Sequence, residues 1–110
     1  MKKDVVAGLG EIGMPILKIL SKKSIVIGFD TNQKLMNNEK YKKFESYSTS
    51  FLHIAIPITK NFPSQIISLY KKFSPECIVI HSTIAPGTTE TLQKKLTIPV
   101  IYSATRGVHR

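Results

Sequence analysis

Short runs that are nearly continuous in Val, Ile and Leu alternate along the chain with longer segments whose apolar residues recur every three or four positions. Runs of the first kind have strand length and those of the second have helix length, so the pattern predicts β-α-β units and a parallel sheet. Strands are expected at Asp4 to Leu9, Ser24 to Phe29, Phe51 to Ile56, Cys77 to His81 and Ile98 to Tyr102. Because polar residues do not alternate with apolar ones inside these runs, both faces of the sheet should be covered. A helix is expected from Glu11 to Leu20, with Ile12, Ile16, Ile19 and Leu20 as its apolar stripe. A second is expected from Phe62 to Phe73, and a third from just after Pro86-Gly87, with Glu90 in its first turn, to near Leu96.

The segment from Thr31 to Ser50 fits the pattern least well. Thr31 to Asn37 can form a short helix and Lys43 to Tyr47 an extra edge strand. That edge strand, if parallel beside Ser24 to Phe29, would force the chain to pass beneath two strands and return to the other end of the sheet within three residues. Strands lie about 4.8 Å apart and an extended residue spans about 3.4 Å, so the connection is too short. Five strands in the order 2-1-3-4-5 are therefore expected, with Thr31 to Ser50 as the crossover and a topological switch between the first and third strands.

At that switch lies the motif Gly8-Leu9-Gly10-Glu11-Ile12-Gly13. Glycines at this spacing are weak by themselves, but these follow an expected strand, open an expected helix, and precede a second strand that ends in Asp30. The combination is the dinucleotide-binding fingerprint of a Rossmann-like, doubly wound α/β domain. Gly8 would make the tight turn, Gly10 would let the backbone approach a pyrophosphate, and Gly13 would let helix and strand pack closely. The helix start would offer unpaired N–H groups to the phosphates. Asp30 would accept hydrogen bonds from the adenosine ribose and favour NAD over NADP, with Thr31 beside it. Glu11 complicates the picture, since a carboxylate projecting from the first helical turn would repel phosphate; pointing outward is one outcome and weakened cofactor affinity the other.

The residues Gly8 to Pro15, Ile54-Ala55-Ile56-Pro57-Ile58-Thr59 and His81-Ser82-Thr83-Ile84-Ala85-Pro86-Gly87-Thr88-Thr89-Glu90 resemble three segments of the UDP-glucose/GDP-mannose dehydrogenase family. The likeness runs over almost the whole chain, and its last segment is the most specific. The 3-hydroxyisobutyrate and 6-phosphogluconate dehydrogenases are similar in the glycine loop and the Ser-Thr turn but fit the Pro-Gly-Thr-Thr segment less well. The resemblance implies that Pro57 lies against a bound dinucleotide and that Ser82 and Thr83 approach its nicotinamide side; with Gly8, Gly10, Glu11, Ile12, Gly13, Asp30 and Thr31 these make up the expected cofactor site. It further implies an oxidoreductase whose cysteine, lysine and asparagine machinery lies in later segments that these residues do not include, so no turnover is expected of this chain alone. Position 81 is His where the family usually has Glu, Ser103-Ala104-Thr105-Arg106-Gly107 replaces its Ser-Pro-Glu, and Thr31 to Ser50 is shorter than its counterpart.

Bulk properties narrow this picture without redirecting it. At 110 residues, one domain is expected over residues 1–105 with a short tail at 106–110. No apolar run approaches the roughly 20 residues of a membrane span, and the charged start leads into a strand instead of a signal peptide, so a cytoplasmic protein is expected. Cys77 precedes an apolar run, where a buried, inert thiol is usual, and no Cys or His pairs have metal-ligand spacing. The net charge of +9 comes largely from lysine doublets, three of them at helix ends expected to lie away from the ligand crevice. Solvated helix ends are favoured over a nucleic-acid surface, since no aromatic residues interleave with them. A non-catalytic Rossmann-like module that binds a partner protein or nucleic acid through this basic surface stays open as the alternative. His53 is expected to be a hydrogen-bonded sheet residue; His81, at a strand's C-terminal end, is a candidate for either cofactor contact or a structural hydrogen bond. The uncovered edge of the last strand suggests self-association as a homodimer.

Overall fold

The computed structural model describes residues 1–56, 61–81 and 88–103. Its elements in chain order are β1 (Lys2–Ala7), α1 (Gly13–Ser21), β2 (Val26–Phe29), a 3₁₀ turn (Gln33–Leu35), α2 (Asn38–Phe44), β3 (Ser48–Ile54), α3 (Phe62–Phe73), β4 (Cys77–Ile80), α4 (Thr88–Lys95) and β5 (Val100–Tyr102). The five strands form one sheet in the order β2-β1-β3-β4-β5, parallel throughout. From β1 the chain steps to one side to make β2 and then crosses to the other side for β3, so the switch falls between β1 and β3, as the sequence pattern implies.

Alternation of side chains along each strand divides the core in two. Val5, Ala7, Ile27, Leu52, Ile54, Ile78, Ile80 and Val100 point to one face, where Phe62, Ile66 and Leu69 of α3, Leu92 of α4 and Tyr41 and Phe44 of α2 pack on them. Val6 and Val26 point to the other, beneath Met14, Ile16, Leu17 and Leu20 of α1. The sheet thus carries helices on both faces, a Rossmann-like α/β arrangement. Among the described residues no helix is long and apolar enough to cross a membrane.

Most strand ends shift by one to three residues from the sequence expectation, and three departures have a clear cause. Helix α1 begins at Gly13, not Glu11, which places Pro15 in its first turn, where a missing N–H costs nothing. Strand β3 begins at Ser48, three residues before the apolar run, because Ser48 and Thr49 pair with Lys2 and Lys3 of β1. The crossover contains α2, capped by the Asn37 side chain on the Lys40 N–H, a helix whose polar face masks its period in the sequence. No strand forms at Lys43 to Tyr47; instead Lys3, buried at the start of β1, donates to the Glu45 and Tyr47 carbonyls and fixes the end of the crossover. Burial pushes the Lys3 ammonium below its usual range, against the nearby Glu45 carboxylate. Helix α3 matches its expected bounds: Pro63 sits at its start and Ser74, left-handed at φ 46°, ends it before Pro75.

Candidate functional site

The glycine loop leaves β1 at the switch and is bound to the neighbouring strands on either side. The Gly8 N–H donates to the Phe29 carbonyl at 2.9 Å, and the Ala55 N–H donates to the Ala7 carbonyl at 2.8 Å. Gly8 has φ +96°, and a Cβ there would lie 2.7 Å from the Ala55 carbonyl oxygen, so no other residue fits without strain. Gly13 is more restricted still, since a Cβ on it would sit 1.6 Å from the Gly8 carbonyl oxygen. These two glycines are explained by the fold. Gly10 is not: its φ lies outside the left-handed region, and a Cβ there would meet nothing within 4 Å.

The space in front of Gly10 is a cleft of about 940 Å³, of a size to hold a cofactor. Gly8, Gly10, Glu11, Ile12, Asp30 and Thr31 line it, together with Ile56 at the end of β3. Gly13 does not line the cleft; it is buried behind the loop. Pro57, Ser82 and Thr83 lie outside the described residues. Asp30 has a second duty that the motif does not disclose. One carboxylate oxygen accepts the Leu9 N–H at 2.7 Å and the other accepts the Asn32 N–H at 2.8 Å, so the acid ties the glycine loop to the end of β2. A carboxylate has about four acceptor positions, which leaves lone pairs for a ligand.

Glu11 lies in the turn before α1, exposed and on the cleft wall, instead of in the first helical turn. No side chain caps α1, whose start faces the same loop. Sequence reasoning missed the far wall: Gln65, Ser68, Leu69 and Lys72 of α3, with Leu35 from the crossover. Lys72 also corrects the expectation that the helix-end lysines stay away from the cleft. Its ammonium lies 5.2 Å from the Phe29 ring centre and 5.7 Å from that of Phe73, and these aromatic faces hold the chain along the groove. Phe29 ends β2 and Asp30 follows it directly, so a long side chain from the last turn of α3 reaches the site that its backbone does not.

A second constellation lies on the α1 side of the sheet. His53 Nδ1 and His81 Nε2 share a hydrogen bond of 2.9 Å, with ring centres 5.1 Å apart and ring planes inclined by 24°. The separation of ring centres is about the N···N distance plus a ring radius at each end, so the rings meet edge to edge and one N–H points along the other ring's lone pair. His53 therefore has the hydrogen-bonded sheet role expected of it, and the partner is a residue 28 positions away that sequence spacing could not supply. His81 does not line the cleft. Its imidazole is pushed down to about 4 by burial first and by His53 second, and burial lowers His53 as well. In the unfolded chain both titrate near 6.5, so as pH falls below that value the unfolded state takes up protons that the folded pair resists. Stability from the pair is present above pH 6.5 and is lost as pH falls towards 4. The expected loss is about 1–2 kcal/mol, since solvent reaches part of the pair and screens it. Urea unfolding of wild type and a His53→Gln/His81→Gln double variant should show a stability difference that shrinks from pH 7 to pH 4; a difference independent of pH would refute this account.

Cys77 is buried, donates weakly to the Ile78 carbonyl at 3.8 Å, and has its thiol pushed up by burial, all of which make it a poor nucleophile. Among the described residues no three His, Cys, Asp or Glu side chains converge as a metal would require. No protein-family model, curated protein or solved structure matches the chain.

Proposed function

We propose that this chain is an NAD-binding domain of nucleotide-sugar dehydrogenase type, with the substrate and catalytic half outside these residues. The observation that carries the proposal is Gly10. It is a glycine with no conformational or packing need to be one, and it opens onto a cleft at the topological switch point, where ligands of open α/β sheets bind. Such a position is accounted for by a ligand whose approach excludes a side chain. The remaining wall supports the same ligand. Asp30 has lone pairs to accept from ribose hydroxyls, the uncapped start of α1 suits a pyrophosphate, and Leu35, Ile56 and Leu69 give an apolar slot for a base. NAD supplies hydride chemistry when bound; the chain's own contribution is to bind and orient it.

The alternative, a non-catalytic module that uses its basic surface to bind a partner, draws on Glu11, whose carboxylate stands on the cleft wall near where phosphates would lie. A calorimetric titration of NAD into the purified chain separates the two. Saturable one-to-one binding is expected, reduced at least tenfold by Asp30→Ala. An absence of binding at millimolar NAD, where only affinities weaker than about −4 kcal/mol escape detection, would reject the NAD proposal.

A further inference from the structure

The cleft has one wall that the glycine motif does not supply. Gln65, Ser68, Leu69 and Lys72 recur at spacings that share one face of α3, so that face runs along the cleft for about 10 Å. Because α3 follows β3 in a parallel sheet, its first turn lies at the end of the sheet where the glycine loop and Asp30 stand, and its last turn at the other. Gln65 is in that first turn and Lys72 in the last. Leu35, 40% exposed, joins this wall from the crossover. With Leu35, Ile56 and Leu69 the wall is mainly apolar, yet the side chains of Gln65 and Ser68 stand exposed on it, and neither makes a hydrogen bond among the described residues. The Lys72 ammonium differs, since it rests against the rings of Phe29 and Phe73.

We infer that Gln65 reads the base of the bound nucleotide and makes the cleft selective for adenine, a 6-aminopurine, over purines with a 6-keto group. The inference rests on the NAD reading: with the pyrophosphate at the start of α1 and a ribose at Asp30, the base is left the part of the cleft that Leu35 and α3 line. A base there is held by the apolar side chains and identified by its edge. Adenine carries its 6-amino donor beside the N7 acceptor, and a carboxamide matches that edge with one acceptor and one donor. Hypoxanthine places a keto oxygen beside N7, two acceptors in a row. Either orientation of the Gln65 amide then sets its own oxygen against one of them, and polar groups left unpaired in a ligand contact weaken binding by more than the lost bond. Ser68 discriminates little, since a hydroxyl donates or accepts as the base requires. An ammonium only donates, so Lys72 would favour the keto purine. Its place in the last turn of α3 and its two aromatic contacts hold it away from the Gln65 end of the cleft.

Calorimetric titration of NAD and of nicotinamide hypoxanthine dinucleotide, which differ only in the purine, into wild type and Gln65→Ala tests this. Wild type is expected to bind NAD roughly tenfold more tightly than the hypoxanthine analogue. In Gln65→Ala the ratio should fall to near one, through loss of NAD affinity and not through gain for the analogue. Gln65 is exposed, so the thermal midpoint of the variant should match wild type. Equal binding of the two dinucleotides by wild type would overturn the inference and leave the NAD reading standing, whereas binding of neither would overturn both. A wild-type preference for the hypoxanthine analogue, or a ratio unchanged in Gln65→Ala, would take the reading of the base away from Gln65 and overturn the inference as well.

Discussion

Replacing Gly13 by alanine is expected to remove most of the stability of this chain, whereas Gly10→Ala should leave the thermal midpoint within about 3 °C of wild type and cut NAD affinity at least tenfold. The two glycines stand three residues apart in one loop, and their environments are opposite. A Cβ on Gly13 would lie 1.6 Å from the Gly8 carbonyl oxygen, an overlap that no rotamer relieves because both groups are main chain. The obstructing carbonyl cannot retreat, since the Gly8 N–H is bonded to Phe29 and the next N–H, of Leu9, to Asp30. Helix α1 would have to lift from β1 and β2, exposing Val6, Leu9 and Val26, which are now buried beneath it. Overpacking of a well-filled core costs about 1–3 kcal/mol and more where backbone must move, against a total stability of about 5–15 kcal/mol. At Gly10 a methyl group meets only open space, and alanine there restricts the unfolded chain, so stability is unchanged or slightly raised. On the proposed function its cost would fall on the ligand, whose phosphates could no longer reach the main chain. Urea titrations followed by circular dichroism, paired with calorimetry, check both halves. A Gly13→Ala protein as stable as wild type, or a Gly10→Ala protein that binds NAD equally well, would contradict the assignment of roles.

That difference between glycines marks the limit of what could be seen in the sequence. The spacing Gly8, Gly10, Gly13 with Asp30 placed the loop at the correct turn of the correct topology, because strand-length apolar runs and loop-closure distances leave few ways to connect five parallel strands. Which glycines the fold requires depends on atoms that spacing does not reveal, the Ala55 main chain beside Gly8 and the Gly8 carbonyl beside Gly13, and appears only in three dimensions. The same holds for the far wall of the cleft. The place of Lys72 at a helix end describes its backbone correctly, but a four-carbon side chain spans as much as a helical turn and lies over Phe29. Helix α2 is not legible in the sequence, because seven residues with two inward aromatics, Tyr41 and Phe44, carry too little periodicity to separate from a turn. Lys3 shows the converse: a lysine at a chain terminus looks solvated until two carbonyls, from Glu45 and Tyr47, close over it.

Asp30→Asn should preserve most of the stability of the chain while collapsing its preference between NAD and NADP, and Asp30→Ala should lose both stability and affinity. The carboxylate accepts from Leu9 at 2.7 Å and from Asn32 at 2.8 Å, the first partly buried and the second exposed. Hydrogen bonds to charged groups contribute about 1.5–3 kcal/mol each when buried and less in solvent, so alanine is expected to cost about 2 kcal/mol in all. Asparagine keeps one acceptor oxygen, which can hold the Leu9 N–H and with it the loop. What it cannot keep is the negative charge. In wild type that charge would face the 2′-phosphate of a bound NADP, and two unit charges about 4 Å apart at an effective dielectric of 20 repel by about 4 kcal/mol, before solvent and the Lys72 ammonium on the same cleft reduce it. A surviving discrimination of at least tenfold, about 1.4 kcal/mol, is expected in wild type and a ratio near one in Asp30→Asn. Lys72→Gln provides the complementary measurement: with the cleft's one described cation removed, discrimination against NADP should widen. If Asp30 served only to brace the loop, the affinity ratio would be the same in wild type and in Asp30→Asn, and unfolding midpoints alone would separate the variants.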